Sequence, residues 1–174
     1  MSGAPRPVRV TTPTDRDIVL TRDFDAPRRL VFDALTRPEL LRRWFGAQGW
    51  QLVVCEVDLR VGGAWRFESR GPAGAWMGHS GVYQVIRPAE RLVYTERYDD
   101  QSYPGDTMIS HRLVENHGGT TLISTIRYAT PEGRDRVLRY PMARGVTESY
   151  ARLDQVLAKS HIHQGNRPGE EPAP

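Results

Sequence analysis

The stretch from about Pro141 to Lys159 constrains this chain most, because it reads as one long helix that follows every strand-like segment and is apolar on one side only. Met142, Val146, Tyr150, Leu153 and Val156/Leu157 recur at three- and four-residue spacing, which aligns them along one helix face. Arg144, Glu148, Arg152 and Asp154 fill much of the opposite face. Seven earlier segments read as strands, so the stripe has a natural partner in a sheet that wraps around the helix. A chain built this way encloses a space between sheet and helix, and its function is one that such a hollow can perform.

In chain order, residues 1–16 are rich in Pro, Thr and Arg without periodicity and read as a flexible arm, ordered at most near its end. The folded domain is expected over 17–159. Strand Ile18–Phe24 leads to Asp25, an N-cap candidate, and to a short helix with Pro27 in its first turn and Val31, Ala34 and Leu35 on its apolar side. Thr36-Arg37-Pro38-Glu39 has capping-box spacing ahead of a second short helix carrying Leu40, Leu41, Trp44 and Phe45. From Gln51 the period changes to two. Strands are expected at 51–57, 64–70, 76–86, 91–98, 107–115 and 120–128, joined by short turns as an antiparallel meander. Pro131 opens a helical turn, and Pro141 forces a break near Tyr140 before the last helix. Gly145 inside that helix implies either close packing on a strand or room left for a ligand. Residues 160–174 read as a disordered tail.

Composition excludes several classes. The 174 residues, 39% hydrophobic and 26% charged, describe one globular domain with no apolar run long enough for a membrane span and no signal-peptide pattern. A cytoplasmic location is expected. The single cysteine, Cys55, rules out an internal disulfide and reads as a small buried hydrophobe. Lys159 is the only lysine; the basic residues are otherwise arginine, as a GC-rich bacterial genome encodes, and the formal charge is only +3. No aromatic-rich basic motif accompanies Arg28-Arg29 or Arg42-Arg43, so nucleic acid is not an expected partner. His161-x-His163 lies beyond the expected helix, and two imidazoles alone make a poor metal site. Gly62-Gly63 precedes a strand rather than a helix, so it is no phosphate loop. Gly78-His79-Ser80-Gly81 lacks the Gly-x-Ser-x-Gly spacing and the strand-to-helix turn of a nucleophile elbow. Neither metal nor organic cofactor is expected.

Several pieces, in order, carry a family resemblance: Phe24-Asp25-Ala26-Pro27 before Val31-Phe32, then Pro38-Glu39-Leu40-Leu41 ending in Trp44-Phe45-Gly46. Glu56-Val57-Asp58-Leu59-Arg60-Val61-Gly62-Gly63 with Trp65-Arg66-Phe67 comes next, then Gly81-Val82-Tyr83, Pro88-Ala89-Glu90-Arg91-Leu92, Gly119-Thr120-Thr121-Leu122, and Met142 through Gly145 to Leu153. Over about Asp17 to Ala158 the chain resembles the SRPBCC superfamily, and more narrowly its branch named after the activator of heat-shock protein ninety ATPase. Pro141 and the basic tails depart from the pattern. The resemblance implies an α+β helix-grip (START-like) fold, a curved antiparallel sheet of about seven strands with two short helices and a long C-terminal helix over a cavity. It also implies binding of a lipid, polyketide or other hydrophobic small molecule for sequestration, transport or self-resistance, with polyketide cyclase/aromatase chemistry as an alternative. A third reading is a protein-binding module that stimulates a chaperone ATPase. The short arm leaves no room for a chaperone-binding domain, so that partner is disfavoured. The protein is expected as a monomer or homodimer.

Alternation proposes the cavity wall. With Arg66 and Glu68 facing water, Trp65 and Phe67 face the helix, and the same logic turns His79, Tyr83, Val85, Tyr94 and His111 inward. Trp44 joins from the second short helix, and Met142, Val146 and Tyr150 form the roof. Ring bodies with a few polar tips suit a ring-bearing, partly polar ligand. His79 and His111 are the acid–base candidates on inward positions, with Glu96 on the face of Tyr94 as a carboxylate partner. A filled core with local hydrogen bonds is the competing reading of the same residues.

Overall fold

The computed structural model describes residues 6–102 and 105–165. Eight antiparallel strands form one curved sheet in the order β1-β2-β8-β7-β6-β5-β4-β3. They are β1 (Arg9–Thr11), β2 (Asp17–Phe24), β3 (Gln51–Val57), β4 (Ala64–Arg70), β5 (Trp76–Arg87), β6 (Arg91–Tyr98), β7 (Thr107–Asn116) and β8 (Gly119–Arg127). Strands β3 to β8 are the expected meander. Strand β2 returns beside β8, so the first and last long strands close one side of the sheet. Helices α1 (Arg28–Thr36) and α2 (Pro38–Trp44) carry the chain from β2 across to β3 at the opposite edge. Helices α3 (Pro131–Leu138) and α4 (Met142–Gly165) come after the sheet.

The helix-grip architecture is therefore present, with four local differences. The arm contains β1, whose Arg9, Val10 and Thr11 pair with Thr21, Leu20 and Val19 as an eighth, edge strand. Val8 beside it is buried, and its N–H donates to Thr147 Oγ1 of α4 at 3.2 Å. The last helix does not stop at Lys159 but continues to Gly165, the last described residue. The rest of the expected tail lies outside the described residues.

The third difference is at the helix starts. Pro27 is the N-cap of α1, and Arg37 that of α2, neither with a side-chain cap. Asp25 instead binds Arg6, with carboxylate–guanidinium distances of 2.6 and 3.2 Å. Thr36 Oγ1 donates back to Phe32 O at 2.8 Å, which removes it from capping duty. At α3 the cap is conventional, since Gly133 N–H donates to Thr130 Oγ1 at 3.1 Å.

The fourth difference is a bulge. Tyr83 pairs with Tyr94, but Val85 pairs with Val93, so β5 gains one residue over β6 between those pairs. One extra residue reverses the facing of the remainder of the strand. Val85 shares a face with Val93, opposite that of Tyr83 and Tyr94, and so leaves the inward row.

Pro141 breaks the helix as its chemistry demands. Tyr140 sits between α3 and α4, and the Pro141 carbonyl accepts from Arg144 N–H and Gly145 N–H at 3.2 and 3.3 Å as α4 begins. The core gathers Phe24, Val31, Leu41, Trp44, Leu122, Leu153 and Leu157 between sheet, α1, α2 and α4. The Phe24 and Tyr150 rings meet edge-on at 5.4 Å, which seats α4 over β2.

Candidate functional site

Sheet, α2 and the first turns of α4 surround a cavity of about 830 Å³. Alternation explains its wall. Trp65 and Phe67 of β4, His79 and Tyr83 of β5, Tyr94, Glu96 and Tyr98 of β6, and His111 of β7 present their inward faces to it. Trp44 closes the α2 side, and Met142, Val146 and Tyr150 form the roof. All the candidate residues named from sequence except Val85 line this one space. Arg66 and Glu68 lie on the other face of β4, where the Arg66 guanidinium holds Glu68 and Asp99 at 2.8 and 2.7 Å.

Other lining residues escaped the sequence reading. Tyr98 shares the parity of Tyr94 and Glu96 and was within reach of alternation. Phe45, expected on the apolar side of α2, is its C-cap, and Trp50 comes from the loop after it, where no period operates. Ser124 enters because β7 and β8 place it opposite His111, a register no single strand reveals. Gly145 lines the cavity too. A methyl at Gly145 would meet only Ala47 Cβ at 3.7 Å, an ordinary contact, so close packing on a strand does not account for this glycine.

The polar face of α4 is not simply solvated. Glu148 accepts from Gln48 N–H at 3.0 Å, Ser149 Oγ accepts from Gly46 N–H at 3.1 Å, and Arg152 donates to Gly46 O at 3.1 Å. These bonds fasten the roof helix to the 45–50 loop beside the cavity.

Two polar groups sit among the rings. In the first, Tyr94 Oη and His111 Nε2 are 2.9 Å apart, and His111 Nδ1 lies 2.7 Å from Ser124 Oγ. Ser124 also lies beside the Tyr150 phenol of the roof. Burial holds His111 down at about 4, so the ring is neutral and has one donor and one acceptor nitrogen, both used. Burial likewise pushes the phenols of Tyr83, Tyr94, Tyr128 and Tyr150 above their ordinary values. This group is a bonded, uncharged relay. Cys55 is inert for the same reason: burial raises its thiol to about 11.

The His111 shift makes stability depend on pH. The folded ring releases its proton near 4 and the unfolded ring near 6.5, so the unfolded chain takes up the proton first as pH falls. The contribution is complete above about 6.5 and is lost between there and about 4, on the order of 3 kcal/mol in all. Urea denaturation of wild type and His111→Gln across this window is expected to show a shallower pH slope for the variant.

The second group is different. His79 Nδ1 lies 3.0 Å from Glu96 Oε2, and the imidazole stacks on Tyr98 at 5.0 Å between ring centres and on Phe45 at 5.7 Å. Trp65 and Phe67 meet its edge at 5.3 and 5.5 Å. His79 Nε2 is buried with no hydrogen-bond partner, alone in this among the described residues. An unpartnered buried polar atom costs about 1–3 kcal/mol. In the tautomer whose Nδ1–H donates to the carboxylate, Nε2 is a lone-pair acceptor.

No group of three or more His, Cys, Asp or Glu side chains suits a metal among the described residues, and His161 and His163 lie exposed on the last turns of α4. No described helix is long and apolar enough to cross a membrane.

A curved sheet gripping a long helix over a ring-lined cavity defines a class: the helix-grip fold of the SRPBCC superfamily, whose members bind ligands. Within that class, residues 25–158 match the sequence model of the Activator of Hsp90 ATPase homolog 1-like proteins. The chain belongs to that family. It is similar to a solved protein of Rhodobacter sphaeroides, with 33% identity over 88% of this chain and 99% of that one and a TM-score of 0.83. A protein of Chromobacterium violaceum is 28% identical over 83% of this chain and 98% of that one, with a TM-score of 0.74. An AHSA1 protein of Silicibacter pomeroyi shares the fold at 22% identity over 83% of this chain and 99% of that one, TM-score 0.68. No curated protein matches the chain.

Proposed function

We propose that the protein binds a hydroxylated, ring-bearing small molecule in the cavity and thereby sequesters or carries it. The observation that carries this reading is a ring-lined space of about 830 Å³ whose wall includes His79, with a buried Nε2 that lacks a partner. The volume falls within the range of small-molecule sites. Aromatic faces supply the apolar contact, and the His111 relay adds polar tips that carry no charge. A ligand O–H or N–H entering between the rings beside His79 gives Nε2 the donor it lacks.

Three of the four tryptophans, Trp44, Trp50 and Trp65, line the cavity, so intrinsic fluorescence reports ligand entry. Titration with 2-naphthol is expected to quench the emission saturably, with naphthalene binding about fivefold more weakly for want of one hydrogen bond. His79→Phe should bring the two probes level. Absence of saturable quenching by either probe, together with a native mass that shows no bound species after gentle purification, would sink the proposal.

A second reading rests on the His79–Glu96 pair. A carboxylate that fixes one imidazole nitrogen and leaves the other as acceptor is the arrangement of a general base. Cyclase- or aromatase-like chemistry would then come after binding, with the proton of the bound ligand passing to His79 Nε2. Product formation that Glu96→Gln abolishes while fluorescence quenching persists would favour it. A co-chaperone role is separable, since it requires a changed chaperone ATPase rate without dependence on the small molecule.

A further inference from the structure

The outer face of the sheet carries a second concavity, of about 660 Å³, away from the ring-lined cavity. Its position is set by alternation and register. His111 and Leu113 of β7 point inward, so Arg112 between them points out; Arg91 precedes inward Leu92 on β6. The bulge in β5 sends Arg87 to the same outer face. Arg87 is directly opposite Arg91, and Arg91 directly opposite Arg112. Three guanidinium groups thus stand abreast on three adjacent strands, and Arg28 at the start of α1 joins them in lining the groove.

Like charges directly opposed across strands destabilise a sheet. Among the described residues, none of these four guanidinium groups has an ion pair, a hydrogen bond or a ring contact. Elsewhere arginines do find carboxylates, as Arg22, Arg66, Arg97 and Arg127 show. Ser110 and Thr125, directly opposite each other on β7 and β8, add two neighbouring hydroxyls to the groove.

We propose that this groove is an anion site for a small molecule bearing a diphosphate or similarly charged phosphate group. Guanidinium forks match phosphate oxygens in pairs, and hydroxyls donate to the acceptors left over, more than a carboxylate offers. Four guanidinium groups against the two lining carboxylates, Glu90 and Glu115, leave the charge of a dianion to be matched. The site is independent of the ligand reading above, because it occupies the other face of the sheet.

The test is calorimetric titration of the full chain with inorganic pyrophosphate at roughly physiological salt, where weak surface pairing is screened. Saturable one-to-one binding is expected, weakened at least about tenfold in an Arg91→Gln/Arg112→Gln double variant while 2-naphthol quenching is unaltered. Without anion and at low salt, Arg112→Gln alone should melt at a higher temperature than wild type, because it relieves an opposed like-charge pair. Added pyrophosphate should raise the melting temperature of wild type and leave the double variant where it was. The proposal is overturned if pyrophosphate does not bind at millimolar concentration, or if the double variant binds it equally well. Tighter binding of an oligoglutamate peptide, or a lower melting temperature for anion-free Arg112→Gln, would overturn it too.

Discussion

Asp154→Ala is expected to destabilise the protein by about 2–3 kcal/mol, although the residue lies on the polar side of α4. Its carboxylate holds Arg22 of β2 with two bonds, at 2.9 and 2.5 Å. Arg22 is nearly sealed, with only 2% of its side chain exposed against 40% for Asp154. It also donates to Asp23 O at 2.7 Å, and its guanidinium sits 4.6 Å from the centre of the Phe24 ring. Removing the carboxylate strands a buried cation; the partial exposure of Asp154 keeps the loss below the full penalty of a dry pair. An Arg22→Met/Asp154→Leu double variant, which removes both charges, is expected to recover most of that loss. Urea denaturation of wild type, Arg22→Met, Asp154→Leu and that double variant closes the cycle. If Asp154→Ala stays within about 0.5 kcal/mol of wild type, water reaches Arg22 and this grip on the roof helix is minor. The consequence for function is direct: this pair and the Phe24–Tyr150 contact tie α4 to β2, so loosening them should also weaken saturable quenching by 2-naphthol.

Periodicity exposed most of the container and much of its lining. The three-and-four stripe from Met142 to Leu157 and the alternation in β4 to β7 identified residues that meet around one space. Both signals depend only on where a side chain points. The features that periodicity missed depend on other physics. Val85 was turned the wrong way because a bulge adds one residue without leaving any mark in the hydrophobic pattern. Strand β1 has only three residues, too few for alternation to register, and it exists because β2 offers an edge to pair with. The Asp25 and Thr36 caps failed because each side chain found a better partner. Tyr94, His111 and Ser124 form a relay only once three strands are in register, and the unpartnered His79 Nε2 is a property of packing alone.

Gly81→Ala is expected to cost about 3 kcal/mol or more, the largest effect of any single methyl considered for this fold. The reason is not backbone conformation but space. A Cβ on Gly81 would lie 1.7 Å from Thr95 O and 2.8 Å from Trp65 Nε1. Those two atoms are themselves partners, because the indole N–H donates to Thr95 O at 3.2 Å. The methyl therefore drives β6 away from β5 and takes the Trp65 bond with it, and the Thr95 backbone and the rigid Trp65 indole leave no flexible end to give way. Gly78→Ala is the instructive contrast. There the added Cβ would meet Asp99 Oδ2 at 2.2 Å, the tip of a half-exposed side chain on the outer face, which can swing aside by lengthening its pair with Arg66. Its cost should be a fraction of the first. The difference extends to the site, since His79 and Glu96, which meet at 3.0 Å, lie on the two strands that Gly81 lets approach. Denaturation midpoints for both variants, read beside the 2-naphthol titration, test whether this close approach is what builds the His79 wall. Equal, small losses for the two would mean that β6 yields easily and that the wall does not depend on it.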